Sequence, residues 1–207
     1  GEFAPPIQTD ETAITLFLFT ETVKSALKHG DKLVSWRELY DSLAKPMANF
    51  LADYIDPATK LPKPSYEIWE VIYQTTTYTT ALTYGALKAA AQIAELFGET
   101  SDVIKWRLAA EEMQQAAEML WNSERDFPYR GILHKNGTTD YDGTIDLSAL
   151  YAADKFNLFS DDRCEAARRS AVNVFGLGGT NVGAPRFEHD DYNRADDNSY
   201  GNPWFIT

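Results

Sequence analysis

Residues 75–98 read TTTYTTALTYGALKAAAQIAELFG. Apolar side chains recur through this stretch at the spacing of one helix face. Those that define the face are Tyr78, Leu82, Leu87, Ile93 and Phe97. Gly98 follows, and glycine readily takes the left-handed conformation that ends helices. The stretch therefore predicts a long helix from about Thr75 to Phe97, and the fold class depends on whether neighbouring segments share its period.

Three other long segments have the same helical period. The first predicted helix begins near Asp10, which we expect to cap it, and the second runs from residue 33 to residue 54 with a kink at Pro46. The fourth is capped near Ser101 and continues to Leu120. Two shorter helices fit residues 146–153 and 161–175.

The helical pattern is interrupted in three places. Residues 127–141 alternate around Asn136-Gly137, a dipeptide typical of a tight β-hairpin turn. Residues 57–74 and 176–202 have little predicted secondary structure, and long ordered loops on a compact scaffold are usually functional. We predict an all-α fold, a helical hairpin array or toroid of antiparallel helices, with a possible short β-hairpin and two long active-site loops.

Composition narrows the possible partners. Of 207 residues, 44% are hydrophobic, and 19 basic against 31 acidic residues give a net charge of −12. The negative charge argues against a nucleic-acid partner. No apolar run approaches the ~20 residues of a membrane span, so no membrane partner is predicted, and localisation stays open. The single cysteine, Cys164, cannot form a disulfide within the chain.

Residues 61–70, LPKPSYEIWE, bring two carboxylates and two aromatic rings together just before the long helix. Aromatic faces match the apolar faces of a sugar ring, and a carboxyl group can exchange a proton with a glycosidic oxygen. A general acid needs a raised pKa, which Trp69, Val71 and Ile72 could give Glu70 by burying it. Alternatively, the acids are solvated at a helix entrance and Trp69 belongs to the core. Spacing does not separate these interpretations.

The stretch from Pro64 to Glu70, followed by the threonines of residues 75–80, resembles the general-acid segment of glycoside hydrolase family 15, the glucoamylase family. The resemblance implies that Glu70 is the proton donor and that Trp69 packs against the sugar nearest the cleavage point. It also implies that the Ile68 backbone contacts a sugar hydroxyl.

Two positions depart from the family pattern. Family members usually have Asp at the position of Glu67, which we place among the substrate-binding residues. They often have a second acid at the position of Val71, so a contact to the next sugar is in doubt here.

Residues 184–192, APRFEHDDY, and 200–205, YGNPWF, resemble a second segment of the same family. The resemblance implies that Arg186 donates hydrogen bonds to sugar hydroxyls and that Asp190 orients Arg186 or the substrate. It assigns wall positions to Tyr192 and Trp204. A guanidinium suits this role, because its fixed fork of donors fits vicinal oxygens.

The acidic residues of this second segment allow another interpretation, a calcium loop or a solvated turn. They are Asp190, Asp191, Asp196 and Asp197. Their spacing fits no EF-hand, and the three histidines do not form a ligand set, so we predict no metal.

Residues 7–13, IQTDETA, and 143–150, GTIDLSAL, also resemble family segments, and Gln8 and Asp10 could lie near the cleft. The resemblance runs from Gln8 to Thr207 but covers only the middle of the family's (α/α)6 toroid. We interpret residues 1–3 as a cloning scar and residues 4–207 as one partial catalytic domain, truncated at both ends.

The resemblance implies that the parent enzyme, without a cofactor, hydrolyses terminal α-glucosidic bonds of starch-like oligo- and polysaccharides with inversion and releases β-glucose. Its partners would be a maltooligosaccharide-like α-glucoside and the remainder of the catalytic domain, which carries the general base. This chain alone should then be inactive. The alternatives are a trehalase or dextran-type α-glucosidase, and a non-catalytic glucoamylase-like binding or regulatory domain.

Overall fold

The computed structural model describes residues 7–179, 183–195 and 201–204. The chain forms two compact units, one of residues 1–75 and 79–116 and the other of residues 76–78 and 117–207. In the described part, no helix is both long enough and apolar enough to cross a membrane.

The first unit begins with helix α1, Thr9–Lys28. The prediction that Asp10 caps this helix is wrong: Gln8 occupies the N-cap position with an extended backbone, and Asp10 is the second helical residue. Asp10 and Glu11 lie in the first turn, where acids face the positive end of the helix dipole. The helix therefore starts two residues before the expected point, and Asp10 becomes a buried residue.

The segment predicted as one kinked helix is a chain of four helical pieces. They are a 3-10 turn at Leu33–Trp36, α2 at Arg37–Leu39, a π-helical turn at Tyr40–Ala44 and α3 at Lys45–Asp53. Pro46 has no N–H, and its ring would collide with the carbonyl of Ser42 in a regular α-helix. The wider π turn directly before Pro46 is how the chain accommodates the proline.

The next two predicted helices are confirmed, with small shifts of their ends. Helix α4 spans Thr77–Leu96 and α5 spans Thr100–Ala116, followed by a 3-10 turn at Ala117–Leu120. Gly98 ends α4 as expected: it has a φ of +76°, and its N–H bonds the carbonyl of Glu95. Helix α1 packs against α3, and α3 packs against α5. Large side chains of this core include Leu16, Leu51, Leu87, Ile93, Trp106 and Met113.

Short strands accompany the helices. In the first unit, β1 (Ser65–Tyr66) pairs antiparallel with the start of β2 (Tyr73–Thr76). In the second unit, β3 (Trp121–Asn122) pairs with β4 (Phe127–Pro128). The sequence did not predict these pairs as such, because two-residue strands carry no periodic signal.

The predicted β-hairpin is confirmed in the second unit. Strand β5, Gly131–Lys135, pairs antiparallel with β6, Thr138–Asp142. Asn136 and Gly137 form the two-residue turn with φ values of 54° and 78°, as a type I′ turn requires.

Two helices complete the second unit. Helix α6, Leu147–Phe156, is capped by Asp146, whose Oδ1 accepts the N–H of Ser148 at 2.8 Å. Helix α7, Asp161–Phe175, has the predicted bounds and ends at Gly176 in the left-handed conformation. Helices α6 and α7 pack against each other around a core of Phe127, Ile145, Ala167, Ala171 and Phe175. The described residues are thus mostly helical with small antiparallel strands.

Candidate functional site

The first loop, residues 57–72, is fastened at its base. Ile55 and Pro62 form an isolated antiparallel bridge, and Thr75 donates its hydroxyl hydrogen to the Pro62 carbonyl at 2.7 Å. Pairing of Tyr66 with Tyr73 then closes the chain so that residues 67–72 form a short protrusion. The paired base restricts the backbone of residues 67–72.

A tight turn within this protrusion carries the two candidate acids. The Glu70 N–H bonds the Glu67 carbonyl at 2.7 Å, and Oε2 of Glu67 accepts the N–H of Trp69 at 2.8 Å. Glu67 is only 1% exposed, so its carboxylate stabilises the turn from inside. Glu70 itself has a φ of +56°, a conformation that non-glycine residues rarely take and that clusters at functional sites.

The Glu70 side chain is exposed. The expectation that Val71 and its neighbours bury Glu70 is wrong for this chain, since Val71 is 51% exposed and Ile68 is exposed too. The polar turn explains the difference, because it leaves Ile68, Glu70 and Val71 exposed while Glu67 is buried. A side-chain amide contacts Glu70 instead: Nε2 of Gln8 donates to Oε1 of Glu70 at 2.8 Å.

The start of α1 lies against the first loop through further bonds. The Tyr66 N–H donates to the Ile7 carbonyl at 3.0 Å, and the hydroxyls of Thr9 and Ser65 are 3.0 Å apart. The placement of Gln8 and Asp10 near a cleft stays a prediction from the resemblance, and the structure shows that Gln8 contacts Glu70.

Asp10 is the buried acid of this region. It is 4% exposed, and its Oδ1 has no hydrogen-bond partner among the described residues. Burial raises the pKa of Asp10 from 3.8 to about 6, and the negative charges of Glu11 and Glu70 act in the same direction, against two backbone hydrogen bonds that lower it. Ionisation of Asp10 is therefore less favourable in the folded chain than in water.

We expect Asp10→Asn to change how stability depends on pH. A raised pKa means that the native state holds the proton more tightly, so the contribution of Asp10 to the free energy of unfolding is fully present below pH 3.8 and is lost as pH rises through about 6. The loss amounts to about 3 kcal/mol and is absent from the variant. Between pH 3.5 and pH 7, the free energy of unfolding measured with urea should fall by about 3 kcal/mol more in wild type than in Asp10→Asn.

Asp31→Asn, at an exposed position after α1, is the matched control for removing one negative charge. An equal pH dependence in wild type and Asp10→Asn would contradict the burial of a titrating carboxyl at Asp10.

The second loop, of which residues 183–195 and 201–204 are described, contains a buried ion pair. Nε and Nη2 of Arg186 donate to Oδ2 and Oδ1 of Asp190, both at 2.8 Å. Arg186 is 8% exposed and Asp190 is 1% exposed. Burial alone would raise the pKa of Asp190, but the bonds from Arg186 and from the Tyr192 N–H outweigh it and hold that pKa below its usual value. The ion pair places the Asp190 carboxylate against the Arg186 guanidinium, and the role of Asp190 towards Arg186 or the substrate stays a prediction.

Aromatic rings surround the Arg186 guanidinium. Its central carbon lies 4.8 Å from the Trp204 ring centroid, 5.1 Å from that of Tyr192 and 5.2 Å from that of Phe187. Tyr192 and Trp204 are half exposed, with centroids 5.9 Å apart. Exposed ring faces beside a fixed guanidinium are the surface that a sugar ring needs for stacking and hydrogen bonding.

A close backbone approach holds Trp204 in this position. The Trp204 N–H bonds the Ala184 carbonyl at 2.8 Å, and Gly201 has a φ of +111°. A Cβ at Gly201 would lie 3.0 Å from the Asp190 carbonyl oxygen and 3.2 Å from Pro185. Only glycine fits at this point of the second loop.

Glu188 and Arg125 form an ion pair beside the second loop that the sequence did not reveal. Glu188 accepts two hydrogen bonds from Arg125, at 2.6 and 2.7 Å, and a third from the Ile145 N–H at 2.8 Å. These bonds fix the second loop to the start of α6, where the Leu147 N–H also bonds the Arg186 carbonyl. The two residues are 63 positions apart, and no local pattern signals such a pair.

Among the described residues, no group of three or more potential ligands is arranged to hold a metal ion. Asp191 is exposed in a turn of the second loop, whereas Asp196 and Asp197 lie outside the described residues. The candidate site residues form two groups, Glu67 to Glu70 with Gln8 in the first unit and Arg186 to Trp204 in the second.

Comparison with known proteins gives a family and a fold. Residues 2–207 match the family model described as Glycosyl hydrolases family 15. The structure is similar to that of a bacterial glucoamylase complexed with acarbose, with 21% identity and a TM-score of 0.65 over 92% of this chain and 29% of that chain. It is also similar to a rhamnosidase from Klebsiella oxytoca with rhamnose bound, with 16% identity and a TM-score of 0.59 over 81% of this chain and 31% of that chain.

At these identities the structural matches show a shared fold. The chain spans less than a third of the length of either solved protein. A search of curated proteins gives no match.

Proposed function

Because the chain belongs to glycosyl hydrolase family 15, we propose that it is part of an enzyme that hydrolyses terminal α-glucosidic bonds of starch-like oligo- and polysaccharides with inversion, releasing β-glucose. The observation that carries this proposal is Glu70: an exposed carboxyl group on a short fixed protrusion, held by an amide at one of its two oxygens.

In this mechanism Glu70 is the general acid. The bond between the anomeric carbon and the glycosidic oxygen breaks, and the leaving oxygen takes the proton of Glu70. Water adds to the anomeric carbon from the opposite face and gives its proton to a second carboxylate, the general base. Inverting enzymes hold the two carboxyl groups roughly 6.5–9.5 Å apart to leave room for this water.

The other site residues bind the sugar or support the residues that bind it. In the first loop, we assign ring packing to Trp69, a hydroxyl contact to the backbone of the exposed residue Ile68 and support of the turn to Glu67. In the second loop, Arg186 donates to sugar hydroxyls while Asp190 fixes its orientation.

Tyr192 and Trp204 form the aromatic wall of the second loop. The half-exposed rings and their distances from the guanidinium support this assignment.

We further propose that residues 4–207 are one part of a single (α/α)6 toroid and that the general base lies outside this chain. The chain covers 29% of the bacterial glucoamylase, and inverting hydrolysis needs both carboxyl groups. We refer to a protein that carries this chain together with the rest of the toroid as the complete catalytic domain.

The 207-residue chain alone is expected to release no measurable glucose from maltooligosaccharides, because it lacks the base. A coupled glucose assay at high protein concentration checks this, with the complete catalytic domain as the positive control. Appreciable β-glucose from the chain alone would show that the base is within it.

The stereochemical outcome tests the proposed reaction. Proton NMR of the first product released by the complete catalytic domain from maltotriose should show β-glucose before mutarotation. Early α-glucose would rule out inversion. Parallel assays on maltose, trehalose and dextran assign the α-glucoside, and no turnover on any of them would favour a binding or regulatory domain.

A further inference from the structure

Gln8 uses its side chain in an unusual way for a residue at the start of a helix. It occupies the N-cap position of the 20-residue helix α1 but makes no side-chain bond to that helix. Its amide instead donates to Oε1 of Glu70, 62 positions along the chain, at 2.8 Å. Side chains at N-cap positions often accept a hydrogen bond from an N–H group of the first helical turn. The Gln8 side chain instead donates a hydrogen bond to the Glu70 carboxyl group.

Both neighbours of Gln8 fix its backbone to the same loop. The Ile7 carbonyl accepts the Tyr66 N–H, and the Thr9 hydroxyl lies 3.0 Å from that of Ser65. The Glu70 backbone is held separately, because its N–H donates to the Glu67 carbonyl. Its φ lies in the left-handed region. The contact thus joins two groups whose main chains are each fixed.

We propose that Gln8 is a positioning residue for Glu70, which holds the carboxyl group by Oε1 and thereby leaves the transferable proton on Oε2. This proposal rests on the proposed role of Glu70 as general acid. An amide nitrogen can only donate a hydrogen bond, so the oxygen that it contacts must be an acceptor. In a protonated carboxyl group one oxygen carries the hydrogen and the other accepts, which assigns the hydrogen to Oε2.

The same contact favours proton transfer. As the Oε2–H bond breaks, the proton passes to the glycosidic oxygen and the electron pair of that bond remains on the carboxyl group, which becomes a carboxylate. A hydrogen bond to an ionised acceptor is roughly twice as strong as one to a neutral acceptor. The bond from Gln8 therefore strengthens as the reaction proceeds, and interactions that strengthen towards the transition state raise kcat. We expect roughly a tenfold effect.

The first test is structural and uses the chain as it is. In nitrogen-15 NMR spectra, the side-chain amide of Gln8 should shift on Glu70→Ala, whereas that of Gln115, exposed on α5, should not. An unmoved Gln8 amide would overturn the proposal.

The second test compares two substrates with different leaving groups in the complete catalytic domain. The comparison separates a positioning role of Gln8 from a structural one. Gln8→Met keeps the side-chain length and removes the donor, and Gln115→Met is the matched control. Gln8→Met should lower kcat on maltotriose roughly tenfold with little change in KM, and should spare α-glucosyl fluoride, whose leaving group needs no protonation. Gln8→Glu, which places a second carboxylate against Glu70, should lose at least as much.

The outcomes distinguish this proposal from the one on which it rests. If Glu70→Gln loses activity selectively on maltotriose but Gln8→Met does not, Gln8 has no positioning role while Glu70 remains the acid. Equal losses of Gln8→Met on both substrates would indicate a merely structural residue and overturn the proposal. If Glu70→Gln itself loses nothing, the general-acid assignment fails and the role of Gln8 fails with it.

Discussion

Replacing Glu70 with Gln in the complete catalytic domain is expected to lower kcat on maltotriose by about 10²–10⁴-fold, the range that a positioned general acid contributes. The amide has nearly the shape of the carboxyl group but no proton to give. Because the side chain is exposed, the substitution should leave the free energy of unfolding nearly unchanged. Steady-state kinetics and urea unfolding of the same protein measure the two effects.

Glu111→Gln is the matched control for this substitution, since Glu111 is an exposed acid on α5. It should keep full activity. A loss below about tenfold in Glu70→Gln would remove Glu70 from the role of proton donor.

The second large effect concerns stability. Arg186→Met is expected to lower the free energy of unfolding of the chain by about 3–5 kcal/mol, because it leaves the carboxylate of Asp190 buried without its partner. The control is Arg169→Met, which breaks an exposed pair with Glu165 on α7 and should cost at most about 1 kcal/mol. Urea denaturation of the three proteins gives the comparison.

A double variant separates the two roles of Arg186. Arg186→Met combined with Asp190→Leu removes both charges and should recover much of the lost stability. It should not recover maltotriose hydrolysis in the complete catalytic domain, because the donors to the sugar are gone. Recovery of activity together with stability would mean that Arg186 only supports the second loop.

Elements with local signals were predictable from sequence. Helix α7 has the predicted bounds because Asp161 begins an acidic first turn and Gly176 ends the helix in a left-handed residue. The hairpin was also predictable, because Asn136-Gly137 is a local signal for a two-residue turn. The segment at residues 33–53 differed, because a proline in a helix can be accommodated by a bend or by a π turn, and the apolar period does not distinguish them.

The candidate site was predictable in part. Resemblance pointed to Glu70 and Arg186 as candidate residues, whose roles stay predictions, and the pair formed by Arg186 and Asp190 lies close in sequence. The contact of Gln8 with Glu70 joins residues 62 positions apart, and only the folded chain brings them together. The expected burial of Glu70 was wrong because apolar neighbours in sequence need not be neighbours in space, and a tight turn sends Val71 outward.

We propose that Glu70 protonates the leaving group. The most direct measurement compares kcat/KM of Glu70→Gln with wild type on two substrates, maltotriose and α-glucosyl fluoride, in the complete catalytic domain. Our account predicts a loss of about 10²-fold or more on maltotriose and a loss of less than about tenfold on the fluoride, which departs without a proton. Equal losses on the two substrates would contradict it.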